Sequence, residues 1–192
     1  MVTIYVLKLD AAKKADKTLM GISFVKYILF KYYNIDITYF SYNSQGKPYL
    51  KDYIYTHFNL SHSDDYVVCA VSNYAVGIDI EKIKDDNPLE LAKIHFERAQ
   101  YKDIKKSTNP LRRFYQLLTV KESYLKYRGE RLGASDLMFK IDDNEISVNE
   151  KVAYYKSYDL PDDYVLTVCG FADKFNDDFI YINYDYQNKT FQ

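Results

Sequence analysis

DDYVVCAV, residues 64–71, returns as DDYVLTVC at residues 162–169, 98 positions further along a chain of 192 residues. Each copy is an acidic pair feeding an apolar, β-branched run, the pattern of a turn entering a buried strand. An echo offset by close to half the chain points to duplicated halves. Working outward from the two copies, Thr3–Leu9 reads as a strand and Thr18–Tyr33 as an apolar, largely buried helix. Tyr66–Val71 and Ala75–Ile80 are strand runs separated by Ser-Asn-Tyr, which predicts a hairpin. Asn87-Pro88 and Asn109-Pro110 each pair an N-cap residue with proline at the first helical position, so helices are expected from Pro88 and Pro110. Short strands follow at Leu137–Ile141, Tyr154–Tyr158, Tyr164–Cys169 and Phe179–Tyr184. The expected fold class is α+β: two similar halves, residues 1–95 and 96–192, each an antiparallel sheet packed on a long helix.

Composition narrows the function classes. A formal net charge of −1 argues against a surface adapted to nucleic acid. Between Asn109 and Leu132, however, six basic residues (Arg112, Arg113, Lys121, Lys126, Arg128, Arg131) face two acidic ones (Glu122, Glu130), a local excess that suits an acidic partner or a phosphate ligand. Cys69 and Cys169 lie inside Val-rich runs without ligand spacing, as expected of buried free thiols in a reducing cytoplasm. No secretory leader and no run of membrane-spanning length is evident, so a cytoplasmic protein without membrane association is expected.

Candidate chemistry begins at AVGIDIEKIK, residues 75–84. In a strand Val76, Ile78 and Ile80 share one face while Gly77, Asp79 and Glu81 share the other. The helix from Pro110 adds a third carboxylate: at about 100° per residue, Leu111, Phe114, Tyr115, Leu118 and Leu125 form one stripe with Glu122 near its middle. Lys121 and Lys126 flank that stripe. An isolated Glu on a helix ordinarily pairs with a neighbouring base, but that leaves Asp79 and Glu81 unexplained. Three carboxylates converging from a strand and a helix suit a hard, oxygen-ligated cation, magnesium rather than zinc. Magnesium commonly bridges carboxylates and substrate phosphates, so phosphoryl or pyrophosphate chemistry follows. GKP at residues 46–48 is a turn with a basic tip, and FNLSHS at residues 58–63 sets hydroxyls around His62. Neither a G-x-S-x-G elbow nor a glycine-rich phosphate loop is present, so nucleotide contacts must come from scattered side chains.

GKP, FNLSHS, GIDIE (residues 77–81) and KESYLK (residues 121–126), in this order, resemble the Sfp-type 4′-phosphopantetheinyl transferases. DKTLMG and the late YVLTVCGF extend the resemblance from about Lys17 to the end of the chain. The resemblance implies a pseudo-dimer of two α+β halves with the active site between them. It also implies an enzyme that moves the phosphopantetheine arm of coenzyme A to a serine of an acyl or peptidyl carrier protein, releasing adenosine 3′,5′-bisphosphate. Carried over residue by residue, Asp79, Glu81 and Glu122 would hold Mg²⁺ (or Mn²⁺), and Glu122 or a water it holds would take the serine proton. Lys126, with Lys121 as a weaker candidate, would contact the phosphates. His62, Ser61, Lys17 and Thr18 would lie near the 3′-phosphate or pyrophosphate, and Lys47 with Pro48 would line the adenine side. A pseudo-dimeric chain can complete its own site as a monomer. Carriers of fatty-acid, polyketide and nonribosomal peptide pathways all fall within this reading.

The chain departs from the family pattern at three places. Leu118 stands where the family usually has Trp, Gly129-Glu130-Arg131-Leu132 replaces G-x-G-L, and Gln100 occupies a position that is often acidic. These departures motivate one alternative, a coenzyme A- or carrier-binding module without turnover. A magnesium nuclease is the other alternative, and it lacks support from a basic groove.

Overall fold

The apolar alternation of the repeated runs is satisfied by burying each strand on both faces, and this shapes the molecule. A computed structural model describes residues 1–10, 16–130 and 139–192. The elements are β1 (Val2–Lys8), α1 (Lys17–Tyr33), β2 (Ser41–Tyr42), β3 (Pro48–Tyr49), β4 (His57–Ser63), β5 (Tyr66–Ser72), β6 (Val76–Lys82), α2 (Pro88–His95), α3 (Arg98–Lys106) and α4 (Pro110–Arg128), followed by seven strands. Those strands are β7 (Phe139–Ile141), β8 (Glu145–Val148), β9 (Lys151–Leu160), β10 (Tyr164–Gly170), β11 (Phe175–Ile182), β12 (Tyr184–Asp185) and β13 (Thr190–Phe191). The fold is mixed α+β, as the sequence predicts.

Of the sheets among the described residues, the first large one has the order β11-β1-β5-β4 and the second β6-β10-β9-β8-β7, while β2-β3 and β12-β13 form two-stranded ribbons. The inner faces of the two large sheets meet in a shared core built from Ile4, Val6, Val68 and Ala70 on one side and Val76, Ile78, Ile80, Leu166 and Val168 on the other. The tyrosines that open the two repeated runs, Tyr66 and Tyr164, touch edge to face across this junction, with ring centroids 4.7 Å apart. The outer face of the first sheet (Tyr5, Leu7, Val67, Cys69) packs on Phe24, Val25, Ile28 and Leu29 of α1. Val120, Tyr124 and Leu125 of α4 pack over the second sheet with Cys169. Both cysteines are free and buried.

Helix starts follow their local chemistry. The Asn87 side chain accepts from the amides of Leu89 and Glu90, and the Asn109 side chain accepts from that of Arg112; each proline follows its cap. Three differences from the sequence reading stand out. Tyr66–Val71 and Ala75–Ile80 do not form a hairpin: β5 pairs with β1 and β4, whereas β6 crosses to the second sheet and pairs with β10 over seven residues. A short connection favours local pairing, but at the β10 edge β6 turns Val76, Ile78 and Ile80 into the shared core and its other face to α4. The first sheet is not wholly antiparallel, since β11 joins β1 in parallel. The strand expected at Leu137–Ile141 is seen as β7 from Phe139 onward, and Leu137 lies outside the described residues.

Candidate functional site

Gly77 decides how closely α4 lies on β6. A Cβ built there would stand 2.0 Å from the Ser123 carbonyl oxygen and 2.4 Å from the Tyr127 amide nitrogen. The helix backbone therefore rests directly on the strand. A hydroxyl contact between Thr119 and Thr167, 2.8 Å long and buried, helps to fix the rotation of α4 over the second sheet. With helix and strand this close, the side chains that follow Gly77 on its face, Asp79 and Glu81, come alongside Glu122 and Lys126 of α4.

The stripe predicted on α4 is divided: Phe114 and Tyr115 are buried and Leu111 and Leu118 partly buried against Ala92 and Ile104 of α2 and α3, whereas Leu125 packs over the second sheet. Glu122 emerges just beyond that cover rather than in the middle of a packed face. It lines an open cleft of ≈ 470 Å³ together with Leu60, Ser61, His62, Asp79, Glu81, His95, Leu118 and Lys126.

The third wall of the cleft is β4, which meets β6 edge to edge through alternating side chains instead of main-chain pairing. The Asn59 side-chain oxygen accepts from the Ile78 amide at 2.9 Å. Ser61 Oγ donates to Asp79 Oδ1 at 2.9 Å, and Ser63 Oγ donates to Glu81 Oε2 at 3.0 Å. Lys126 Nζ donates to Asp79 Oδ1 at 2.6 Å and to Ser61 Oγ at 2.8 Å. Asp79 is 3 % exposed, and its other oxygen, Oδ2, has no hydrogen-bond partner. A buried carboxylate oxygen without a donor calls for a cation or a ligand proton.

Electrostatics point the same way. Burial first, then the Asp79 carboxylate, push Glu122 up to about 7 against the pull of Lys126 and Lys121. The same two causes, in the same order, raise Glu81. His62 is lowered, by burial and then by the charges of Lys126 and Lys17. Among the described residues no group of three or more His, Cys, Asp or Glu side chains stands close enough together to hold a metal ion as they lie; Lys126 supplies the countercharge to Asp79. The donor set of Asp79, Glu81 and Glu122, all oxygen and electrostatically undercompensated, fits a hard divalent cation.

Other residues singled out in the sequence lie elsewhere. Lys121 points away from the cleft, donating to the His95 carbonyl at 2.9 Å with its ammonium over the Phe139 ring. The Lys47 ammonium donates to the carbonyls of Val76, Lys126 and Tyr127, and Pro48 lines a separate, more apolar hollow with Tyr53, Ile54 and Phe58. Thr18 opens α1, its amide taken by the Asp16 side chain. Gln100 is buried and ties α3 to β7 through a 2.9 Å bond to the Phe139 carbonyl, while Arg131 lies outside the described residues. The basic stretch is largely neutralised from within: Arg112 meets Asp159, Arg113 meets Asp103, Lys126 meets Asp79 and Arg128 meets Glu130. His95 was missed by the sequence reading. A lone imidazole at the end of a short helix carries no signal in the sequence; the fold sets its ring edge-on to Phe114 at the border of the cleft.

Residues 75–169, which span β6 to β10, match the 4′-phosphopantetheinyl transferase superfamily. The 4′-phosphopantetheinyl transferase Sfp of Bacillus subtilis (strain 168) is 31% identical over 182 residues, covering 89% of this chain and 81% of that protein. A 4′-phosphopantetheinyl transferase of Bacillus subtilis is 33% identical over 167 residues, covering 81% and 74%. The 4′-phosphopantetheinyl transferase HetI of Nostoc is 38% identical over 99 residues, covering 47% and 41%.

Proposed function

The chain belongs to the 4′-phosphopantetheinyl transferase superfamily, and from that membership we infer how the cleft between β4, β6 and α4 works. The protein is an enzyme that transfers phosphopantetheine from coenzyme A to carrier proteins. The observation that supports the assignment of its site is the meeting of Asp79, Glu81, Glu122, Ser61, His62 and Lys126 in one cleft.

We propose that Asp79, Glu81 and Glu122 bind Mg²⁺, with Mn²⁺ as a substitute. Bound there, the ion supplies Lewis-acid polarisation of the phosphate under attack and neutralises charge developing on the leaving group. The protein side chains do the rest. Glu122, or a water it holds, accepts the proton of the carrier serine. Lys126, one turn beyond Glu122 on α4, and Lys17 offset the phosphate charges, His62 presents its imidazole from the β4 wall, and Ser61 Oγ orients Asp79 through the bond it donates. Adenosine 3′,5′-bisphosphate leaves.

We also propose that the fold is a pseudo-dimer. Three strands in the order β1-β5-β4 with α1 outside have a counterpart in β6-β10-β9 with α4 outside. This correspondence favours a division at the turn before β6, residues 73–75, over one at 95/96. The cleft then takes Ser61 and His62 from the first half and its carboxylates from the second, so one chain completes the site as a monomer. No helix among the described residues is long and apolar enough to cross a membrane, and the two buried free thiols support a cytoplasmic location. The test is to combine the protein with an apo carrier protein, coenzyme A and Mg²⁺ and weigh the carrier by intact-mass spectrometry. A magnesium-dependent gain of one phosphopantetheine group is expected. Coenzyme A binding without any gain on several carriers would refute turnover and leave a binding module.

A further inference from the structure

The turn that carries GKP holds the end of α4. Asn43 Oδ1 accepts from the amides of Gln45 at 3.0 Å and Lys47 at 2.8 Å, and Gly46 adopts φ 82°, which closes a tight loop between β2 and β3. From this loop Asn43 Nδ2 donates to the Gly129 carbonyl at 3.2 Å. Lys47 Nζ reaches the carbonyls of Lys126 at 2.5 Å, Val76 at 3.1 Å and Tyr127 at 3.4 Å. Gly129 itself is in the left-handed conformation, φ 70°, and a Cβ there would lie 2.9 Å from Asn43 Nδ2.

The last carbonyls of a helix have no partner within it, and they sit at the negative end of its dipole. An ammonium has three protons to give. Here its three contacts are main-chain oxygens, two from the last turn of α4 and one from the start of β6. Those two elements carry the reactive set: Lys126, whose own carbonyl is held, reaches Asp79, which lies three residues beyond Val76.

We propose that Lys47 is a positioning residue of the transfer reaction, its ammonium fastening the C-terminal turn of α4 to the first residue of β6 so that Lys126 and Asp79 meet in the cleft. The inference rests on the reading of that cleft as the active site and departs from it in one respect: the Lys47 side chain acts on the protein and not on coenzyme A. With its donors turned to carbonyls, the ammonium is unsuited to a phosphate contact. Burial pulls its pKa down to about 8, the side chain of Cys169 being the titratable group that faces it and His57 the group that feels its charge. It remains protonated at neutral pH.

The test compares Lys47→Met with the unmodified chain. Methionine keeps the apolar stem and removes the donors. With apo carrier saturating and coenzyme A titrated, kcat is expected to fall roughly 10-fold while the KM for coenzyme A stays within about 2-fold, as for a displaced catalytic group. Hydrogen exchange should quicken at residues 124–129 and stay unchanged in β5. A raised KM for coenzyme A with kcat intact, or unaltered exchange together with unaltered kcat, would overturn the proposal. Should Lys47→Met not fold, lysine side-chain NMR on the unmodified chain decides instead. The Lys47 ammonium signal keeps its position when coenzyme A is added if carbonyls hold it, and shifts if phosphate meets it. Glu122→Gln, run in parallel, separates the two readings. Turnover kept in Glu122→Gln refutes the cleft assignment, whereas turnover lost there but kept in Lys47→Met refutes the role of Lys47 alone.

Discussion

Replacing Gly77 with alanine sets a methyl carbon 2.0 Å from the Ser123 carbonyl oxygen, 2.4 Å from the Tyr127 amide nitrogen and 2.9 Å from the Tyr127 Cα. All three are backbone atoms of one helix, so no side-chain rotamer can relieve the clash. Ordinary contact begins near 3.4 Å, and α4 must therefore retreat from β6 by about 1.4 Å in a tightly packed interior. Overpacking of this kind costs ~1–3 kcal/mol, and the rigid obstacle argues for the upper end. For a chain of this size ~3 kcal/mol lowers the melting temperature by about 6–12 °C. Activity should suffer more than stability, because the retreat separates Glu122 and Lys126 from Asp79, and a displacement near 1 Å costs ~10²-fold in rate. Thermal melts followed by circular dichroism and initial rates of carrier modification read the two effects. Gly170→Ala is the control: its nearest neighbour, Phe175 Cε1, lies 3.7 Å from the added carbon, and changes within about 0.5 kcal/mol are expected. A Gly77→Ala protein that melts and turns over like the unmodified one would refute the claim that backbone contact between α4 and β6 sets the geometry of the cleft.

Three further outcomes are expected. Glu122→Gln and Asp79→Asn should each lower the transfer rate ~10²–10⁴-fold with the circular dichroism spectrum unchanged; a rate within a few-fold of normal would remove that residue from the chemistry. Exhaustive chelation should stop transfer and added Mg²⁺ should restore it, whereas persistent turnover in chelator would reject a metal held by Asp79, Glu81 and Glu122. Gln100→Glu loses the donor to the Phe139 carbonyl and should destabilise the protein by ~1–3 kcal/mol, seen as a lower melting temperature, with turnover per folded molecule unchanged; a selective loss of turnover would bring Gln100 into the site.

Much of the framework is legible along the chain because it depends on local pattern. Alternation in GIDIE puts Asp79 and Glu81 on one face of a strand, and proline after asparagine starts α2 and α4. The repeated runs mark β5 and β10, whose opening tyrosines meet. Less legible is which charged side chain reaches the cleft. Lys121 and Lys126 flank the same helical stripe, yet one stacks over Phe139 and the other bonds Asp79. The surplus of basic residues in α4 suggested a docking patch, and the fold supplies carboxylates from α3 and β9 to meet two of them.

The sequence by itself determined the α+β class, the carboxylate-bearing strand and helix, and the family of transferases to which the chain belongs. Only the tertiary structure decided that β6 leaves β5 for the edge of β10, that β4 orients the carboxylates through Ser61 and Ser63, and that the Lys47 ammonium ends on the carbonyls of α4. Periodicity states which way a side chain leaves its own backbone, not what comes to cover it. That second fact is set by long-range fit, such as a missing Cβ at Gly77 that lets the backbone of α4 settle on the strand.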